Sequence, residues 1–210
     1  LCIVQTMADT KKANDVSSEK IAVIEGTLTY STHYGTRILK IFRDPLGTGQ
    51  INLYLSFFGM DRGSNDNKKK LLIPILLLFK HSSMGNLELS QIMDLILKYA
   101  PPRMRDLIIV FLSRARLDFL MNADLYQFVY SKSSVKSMDQ FKLDFDDHMK
   151  LRFLPNAPSN ESKTEMLAWM ICKFSMASID HRLVDDRDVW AHKKLESPAR
   201  AVENLFKSLF

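Results

Sequence analysis

The residue types best suited to chemistry are gathered late in the chain, between residues 181 and 192. This segment contains two histidines and three aspartates: His181, Asp185, Asp186, Asp188 and His192. If these side chains converge, they could bind a divalent cation or share a proton in acid–base catalysis. A solvated loop between two helices has the same composition, and no histidine has metal-ligand spacing to a second histidine or a cysteine. We therefore interpret the segment as a charged loop and predict no catalytic residue and no metal site.

Other reactive patterns are missing from the sequence. No phosphate-binding G-x-x-x-x-G-K-[ST] segment, no G-x-S-x-G and no H-E-x-x-H occurs. Gly47-Thr48-Gly49 lacks the third glycine of a dinucleotide-binding loop and is more typical of a turn. Cys2 and Cys172 are the only cysteines and stand far apart. These observations predict a protein that is not an enzyme and takes no cofactor.

Positive charge is the second feature with a chemical meaning. The formal net charge is +5, with most of the surplus in residues 1–80. Lys68, Lys69 and Lys70 end a polar loop at 59–70, a placement that suits contact with the phosphates of lipid or RNA, although solubility beside an apolar strand explains them equally well. Four arginines form two pairs around an apolar core: Arg103, Arg105, Arg114 and Arg116. They would share a face on a strand and spread around a helix. The charge is too small for a dedicated nucleic-acid groove and favours a loose electrostatic contact.

The elements that must position these residues indicate an α+β fold. The 210 residues, of which 46% are hydrophobic, predict a single globular domain at 21–210. The polar composition of residues 7–20 predicts a flexible polar tail at 1–20.

Alternation of apolar and polar residues predicts strands at 21–32 and 51–58, and the apolar run 71–79 fits a buried strand. Segment 35–42 fits either a strand or a helix, and 124–132 is undecided. Helical patterns cover 86–100 and 103–119. A capping box at Ser162 and Glu165 indicates the start of a third helix, and Ser197-Pro198 indicates the start of the last helix.

FKLDFDDHMKLRF, residues 141–153, predicts a late β-hairpin. Apolar residues occupy the odd positions on both sides of Asp146-Asp147-His148, so two paired strands would present one apolar face. The free edge of such a hairpin and its acidic tip are candidates for self-association. The tip residues are Asp146, Asp147 and His148.

Cysteine content and hydropathy indicate in which cellular compartment the protein is expected. Two cysteines exclude a disulfide framework of the secreted kind, and a reducing compartment is the better expectation. No window reaches 18 apolar residues. We expect a cytoplasmic protein that is neither secreted nor transmembrane and that meets a membrane only at its surface.

A family resemblance rests on the polar tail, the strand EGTLTYST at 25–32, Gly35 with RILKIF at 37–42, and a late strand ending in Asp146-Asp147 before a helical part. In these features the chain resembles the matrix proteins of negative-strand RNA viruses, of the rhabdovirus type. The resemblance implies a non-enzymatic structural protein of the virion or cytoplasm that forms homo-oligomers, binds an anionic membrane surface and condenses the nucleocapsid. The implied membrane or RNA contacts are Lys11, Lys12, Lys68, Lys69 and Lys70. Three alternatives stay open: a small RNA-binding nucleocapsid or accessory protein, a host adaptor or scaffold domain, and an enzyme using the His181 to His192 segment.

Overall fold

The computed structural model describes the chain in separate ranges. These are residues 2–11, 18–32, 35–43, 51–55, 71–82, 87–114, 124–131, 137–151 and 153–186, with the single positions 202, 205 and 206. Within them the fold is mixed, with one antiparallel sheet and six α-helices. The predicted α+β class is therefore correct, although two of its predicted elements, the strand at 71–79 and the hairpin at 141–153, are not.

Five strands form the sheet in the order of the chain. They are β1 (Cys2–Lys11), β2 (Ser18–Thr32), β3 (Gly35–Arg43), β4 (Ile51–Leu55) and β5 (Leu71–Pro74). Every neighbouring pair is antiparallel, with Leu28 opposite Leu39 and Ile41 opposite Leu53. The predicted strand at 21–32 is confirmed, as is the one at 51–58 over its described residues 51–55, and the ambiguous segment 35–42 is a strand. Its β-branched and aliphatic residues favour a pleated surface that is buried on one side.

The N-terminal segment differs from the predicted tail. Residues 2–11 form β1, and residues 18–20 open β2. Ile3 is fully buried in the core that the sheet shares with the helices. The low apolar content of residues 7–20 suggested a tail, but pairing with β2 supplies backbone hydrogen bonds that do not depend on side-chain type. The single domain at 21–210 stays a prediction.

The apolar run at 71–79 is not one strand. It is divided at Pro74, where β5 ends and α1 (Ile75–Ser82) begins. Proline is tolerated just before or in the first turn of a helix because the amide hydrogen that it lacks would have no intrahelical partner there. α1 is buried around most of its circumference, through Ile75, Leu77, Leu78 and Phe79. A helix that is buried on nearly all sides has the continuous apolar sequence expected of a buried strand.

Three further helices follow the apolar periodicity. They are α2 (Leu89–Leu97), α3 (Arg105–Ser113), which is preceded by a 3-10 turn at Pro102–Met104, and α4 (Leu125–Tyr130). The helical interpretations of α2 and α3 are confirmed, and the undecided segment 124–132 contains a helix. The described positions 202, 205 and 206 are also helical, within the last predicted helix.

The predicted β-hairpin at 141–153 is wrong. Residues 141–151 of this segment lie in α5 (Met138–Leu151), a helix of 14 residues. Phe141, Phe145 and Met149 are buried at a spacing of four, whereas Leu143 is 64% exposed. The side-chain amide of Gln140 donates a hydrogen bond to Asp144 over 2.9 Å, across one helical turn. The segment therefore has the helical period and not the period of two that a strand requires.

The longest helix, α6 (Asn160–Ile179), is the centre of the helical part. Most of its residues are buried, and α1, α2, α3 and β2 pack against it. Its N-cap is Ser159, whose hydroxyl accepts a hydrogen bond from the backbone N–H of Ser162 over 3.0 Å. The predicted capping box at Ser162 and Glu165 therefore lies one turn inside the helix. Glu165 instead accepts a hydrogen bond from Lys98, at the end of α2, over 2.8 Å.

Candidate functional site: two exposed helix faces

The outward side of α3 carries two apolar side chains between two arginines. One narrow stripe of the helix faces the core: Met104, Ile108 and Leu112. Leu107 and Val110 lie outside this stripe, with 52% and 49% of their surfaces exposed. Arg103 precedes Leu107 by four residues and Arg114 follows Val110 by four, so the four side chains lie along one side of the helix. We call Arg103, Leu107, Val110 and Arg114 the α3 face.

The outward side of α5 has the opposite charge. Asp139, Leu143 and Asp147 are all exposed and are spaced four residues apart. Each is offset by two positions from the buried stripe, which is about 200° around a helix and therefore on its far side. We call Asp139, Leu143 and Asp147 the α5 face. It places one leucine between two carboxylates.

The two faces are complementary in charge and alike in apolar content. The segment from Arg103 to Arg114 contains three arginines and one aspartate, and α5 contains four aspartates and two lysines. Leu107, Val110 and Leu143 belong to the described large apolar side chains that remain substantially exposed. Apolar side chains surrounded by charge are typical of contact surfaces rather than of solvated helix sides.

The residues predicted at a hairpin tip are separated by the helix. Because α5 has no turn at this position, Asp146, Asp147 and His148 lie on three different sides of it. Asp147 is on the α5 face and is exposed. Asp146 accepts a hydrogen bond from the Tyr126 hydroxyl over 2.7 Å, and His148 is half-buried. The role of these three residues in self-association stays a prediction.

Asp146 belongs to an aromatic cluster between α1, α4 and α5. The rings of His81, Tyr126 and Phe145 meet edge to face, with centroids 5.5 to 5.7 Å apart. Burial lowers the pKa of His81, although its Nε2 atom is 3.9 Å from an oxygen of Asp146. Burial, and then the hydrogen bond to Asp146, raises the pKa of Tyr126. The cluster therefore holds a neutral imidazole and a protonated phenol at neutral pH.

The described ranges include only one of the five lysines proposed as phosphate contacts. The backbone of Lys11 lies in β1. Lys12, Lys68, Lys69 and Lys70 lie outside the described residues, so their role stays a prediction. Of the four paired arginines, Arg103 and Arg114 flank α3 and lie on the α3 face, whereas Arg105 lies about 200° around the helix from Arg103. Arg116 lies outside the described ranges.

The charged segment at 181–192 is partly described. His181 begins a 3-10 turn and is exposed. Asp185 contacts the sheet, because its carboxylate accepts a hydrogen bond from the backbone N–H of Ile3 over 2.8 Å. The same carboxylate forms an ion pair with Lys173 at 3.0 Å. Asp188 and His192 lie outside the described residues. In the part of the chain that the structure describes, no three His, Cys, Asp or Glu side chains form a group that could hold a metal ion.

Sequence reasoning missed the α3 face as a surface. The signal is in the sequence, because Leu107 and Val110 are three residues apart and flanked by arginines at four-residue spacing.

Comparison with protein families and with curated proteins gives no relative. No protein-family description matches the chain, and no curated protein matches it. Among the described helices, none is both long and apolar enough to cross a membrane.

Proposed function

We propose that the protein is a non-enzymatic structural protein that self-associates head to tail. In this proposal the α3 face of one copy binds the α5 face of the next. The observation that carries it is the pairing of an exposed apolar and basic helix face with an exposed apolar and acidic one on the same chain. A surface that attracts its complement on an identical molecule favours self-association.

The chemistry of the two faces specifies how they would meet. Leu143 would pack between Leu107 and Val110, and the two carboxylates of the α5 face would reach the two arginines of the α3 face. Guanidinium groups pair with carboxylates in a planar, two-point geometry. Removal of the three apolar side chains from water adds a contribution that does not depend on salt.

The geometry of such a contact determines the type of assembly. The contact joins two different surfaces, so each copy keeps one free α3 face and one free α5 face at the ends of a chain. Heterologous contacts of this type close into rings or continue as open filaments. Each contact is small, so we expect two isolated copies to bind each other weakly. We expect a copy that makes several contacts at once in a larger assembly to be bound more tightly.

The matrix-like part of the proposal concerns where assembly takes place. We propose an anionic membrane surface, with the basic N-terminal third of the chain turned toward it. Support comes from the net charge of +5 and from its location in the sequence. Contact with a nucleocapsid would follow from assembly at that surface.

Sedimentation velocity of the full chain tests self-association. We expect species larger than the monomer that grow with protein concentration and decrease between 50 and 500 mM salt, because salt screens exposed charge pairs. Arg114→Glu should reduce association at low salt. Arg105→Glu is the matched control, because it makes the same charge change at an exposed position of the same helix, about 200° around from Arg103, and should leave association intact. A wild-type chain that stays monomeric at all concentrations would refute the proposal.

A further inference from the structure

A cleft lies between α1, α4, α5 and the start of α6, away from the two helix faces. Its volume is about 780 Å³, within the range of pockets that bind small organic molecules. Leu77, Leu125, Met149 and Pro158 supply apolar walls, and polar side chains from all four elements complete it. The cleft can therefore hold a ligand that has both an apolar body and a polar group.

Lys163 is the most unusual group in this cleft. Only 4% of the residue is exposed, and its ammonium group donates hydrogen bonds to two carbonyl oxygens at the end of α5, those of Met149 and Lys150. An ammonium group has three N–H donors, so one remains after these two bonds. Backbone carbonyls carry only partial charge and satisfy the hydrogen bonds without neutralising the cation.

No carboxylate compensates this charge among the described residues. The two acidic residues that line the cleft are both bound to Tyr126: Asp124 accepts its backbone N–H and Asp146 accepts its hydroxyl. Neither contacts Lys163. Buried charges in proteins are normally paired with an opposite charge. Burial without such a partner lowers the pKa of Lys163. An anion that enters the cleft would supply the opposite charge that Lys163 lacks.

We infer that the cleft binds a small organic anion, a carboxylate on an apolar body, with its carboxylate against the ammonium group of Lys163. A monoanion suits the site better than a phosphate dianion, because the charged side chains that line the cleft are three lysines and two aspartates, a net charge of +1: Lys80, Lys150, Lys163, Asp124 and Asp146. The apolar walls would bury a short hydrocarbon chain. This inference concerns a surface distinct from the proposed assembly contact and does not depend on it.

Isothermal titration calorimetry with octanoate and octanamide tests the inference. The two molecules have the same hydrocarbon chain, and only octanoate is charged. We expect one octanoate per chain, bound at least about tenfold more tightly than octanamide, since a charge-assisted hydrogen bond contributes about 1.5–3 kcal/mol. Lys163→Met should remove the difference between the ligands, and Lys98→Met, at an exposed site outside the cleft, should retain it. Equal affinity of the wild type for both ligands, or no binding of either, would overturn the inference.

A second measurement needs no variant and covers the case in which Lys163→Met fails to fold. The carboxyl carbon of ¹³C-labelled octanoate is followed by NMR as the pH is lowered, with and without the wild-type protein. An ammonium group facing the carboxylate lowers its pKa relative to free octanoate. An unchanged or raised pKa would contradict the proposed placement, and displacement of octanoate by inorganic phosphate would contradict the choice of a monoanion.

Discussion

Ile3 and Asp185 bind each other through two hydrogen bonds, although they are 182 positions apart in the sequence. The backbone N–H of Ile3 donates to the Asp185 carboxylate over 2.8 Å, and the backbone N–H of Asp185 donates to the carbonyl oxygen of Ile3 over 2.7 Å. Lys173 of α6 donates to the same carboxylate oxygen over 3.0 Å. One side chain thus joins the first strand, the longest helix and the segment that follows it.

The first prediction concerns this junction. Asp185→Ala leaves the Ile3 N–H without its side-chain acceptor and leaves Lys173 without this carboxylate, and we expect it to lower the free energy of unfolding by about 2 kcal/mol. Asp94→Ala, at an exposed position on α2, should change it by less than about 0.5 kcal/mol. Urea unfolding followed by circular dichroism measures both. Equal midpoints for the two variants would contradict a structural role for Asp185.

The second prediction separates the helix at 138–151 from a hairpin. On the helix, Phe141 is buried and Leu143 is exposed, so Phe141→Ala should cost about 3–5 kcal/mol and Leu143→Ala less than about 0.5 kcal/mol. In a hairpin both residues would share the apolar face, and both variants would be destabilised. Chemical denaturation of the two variants beside the wild type decides between these structures.

The third prediction follows from the lowered pKa of His81. The unfolded chain binds a proton at this residue near pH 6.5, whereas the folded chain keeps the imidazole neutral to lower pH. The unfolded state therefore binds more protons below pH 6.5, and the free energy of unfolding falls as the pH falls. Asp146 opposes the shift and Lys163 adds to it, but burial dominates.

His81→Phe tests this prediction, because phenylalanine can replace the ring beside Tyr126 and Phe145. Unfolding free energies are measured at pH 7.5 and pH 5.5. The wild type should lose more stability than His81→Phe between the two pH values. His181→Gln, at an exposed histidine, should lose as much as the wild type. If His81→Phe also loses as much, the pH dependence has another source.

Much of the sheet could be predicted because strand residues alternate between two environments. Segments 21–32 and 51–55 carry that alternation, and it is specific enough to exclude a helix. Residues 141–153 are ambiguous for a physical reason. Phe141, Phe145 and Met149 are spaced by four, which satisfies both a strand face and a helix stripe. Leu143 and Leu151 distinguish the two structures, because a hairpin would bury both and the helix leaves both exposed; their exposure depends on tertiary packing.

The cleft and the junction at Asp185 could not be predicted from local patterns. Lys163 lies near the start of α6, where a lysine normally points to solvent. Nothing nearby in the sequence signals that the ends of α5 and α1 enclose it. Asp185 likewise has its partner in the first strand. Contacts between residues that are distant in sequence leave no periodicity to detect.

The charge-swap experiment tests the central claim of head-to-tail association most directly. One variant carries Arg103→Asp and Arg114→Asp, so both of its faces are acidic, and the other carries Asp139→Arg and Asp147→Arg, so both of its faces are basic. Neither variant alone should associate at low salt, while an equimolar mixture should form assemblies similar to those of the wild type.

Net charge cannot explain such a rescue, because the native chain carries +5 and both variants remain net positive. Sedimentation velocity of each variant and of the mixture provides the measurement. Association of the mixture alone is the result that we predict. A mixture that stays monomeric where the wild type associates, or a single variant that associates as the wild type does, would contradict the contact between the α3 face and the α5 face.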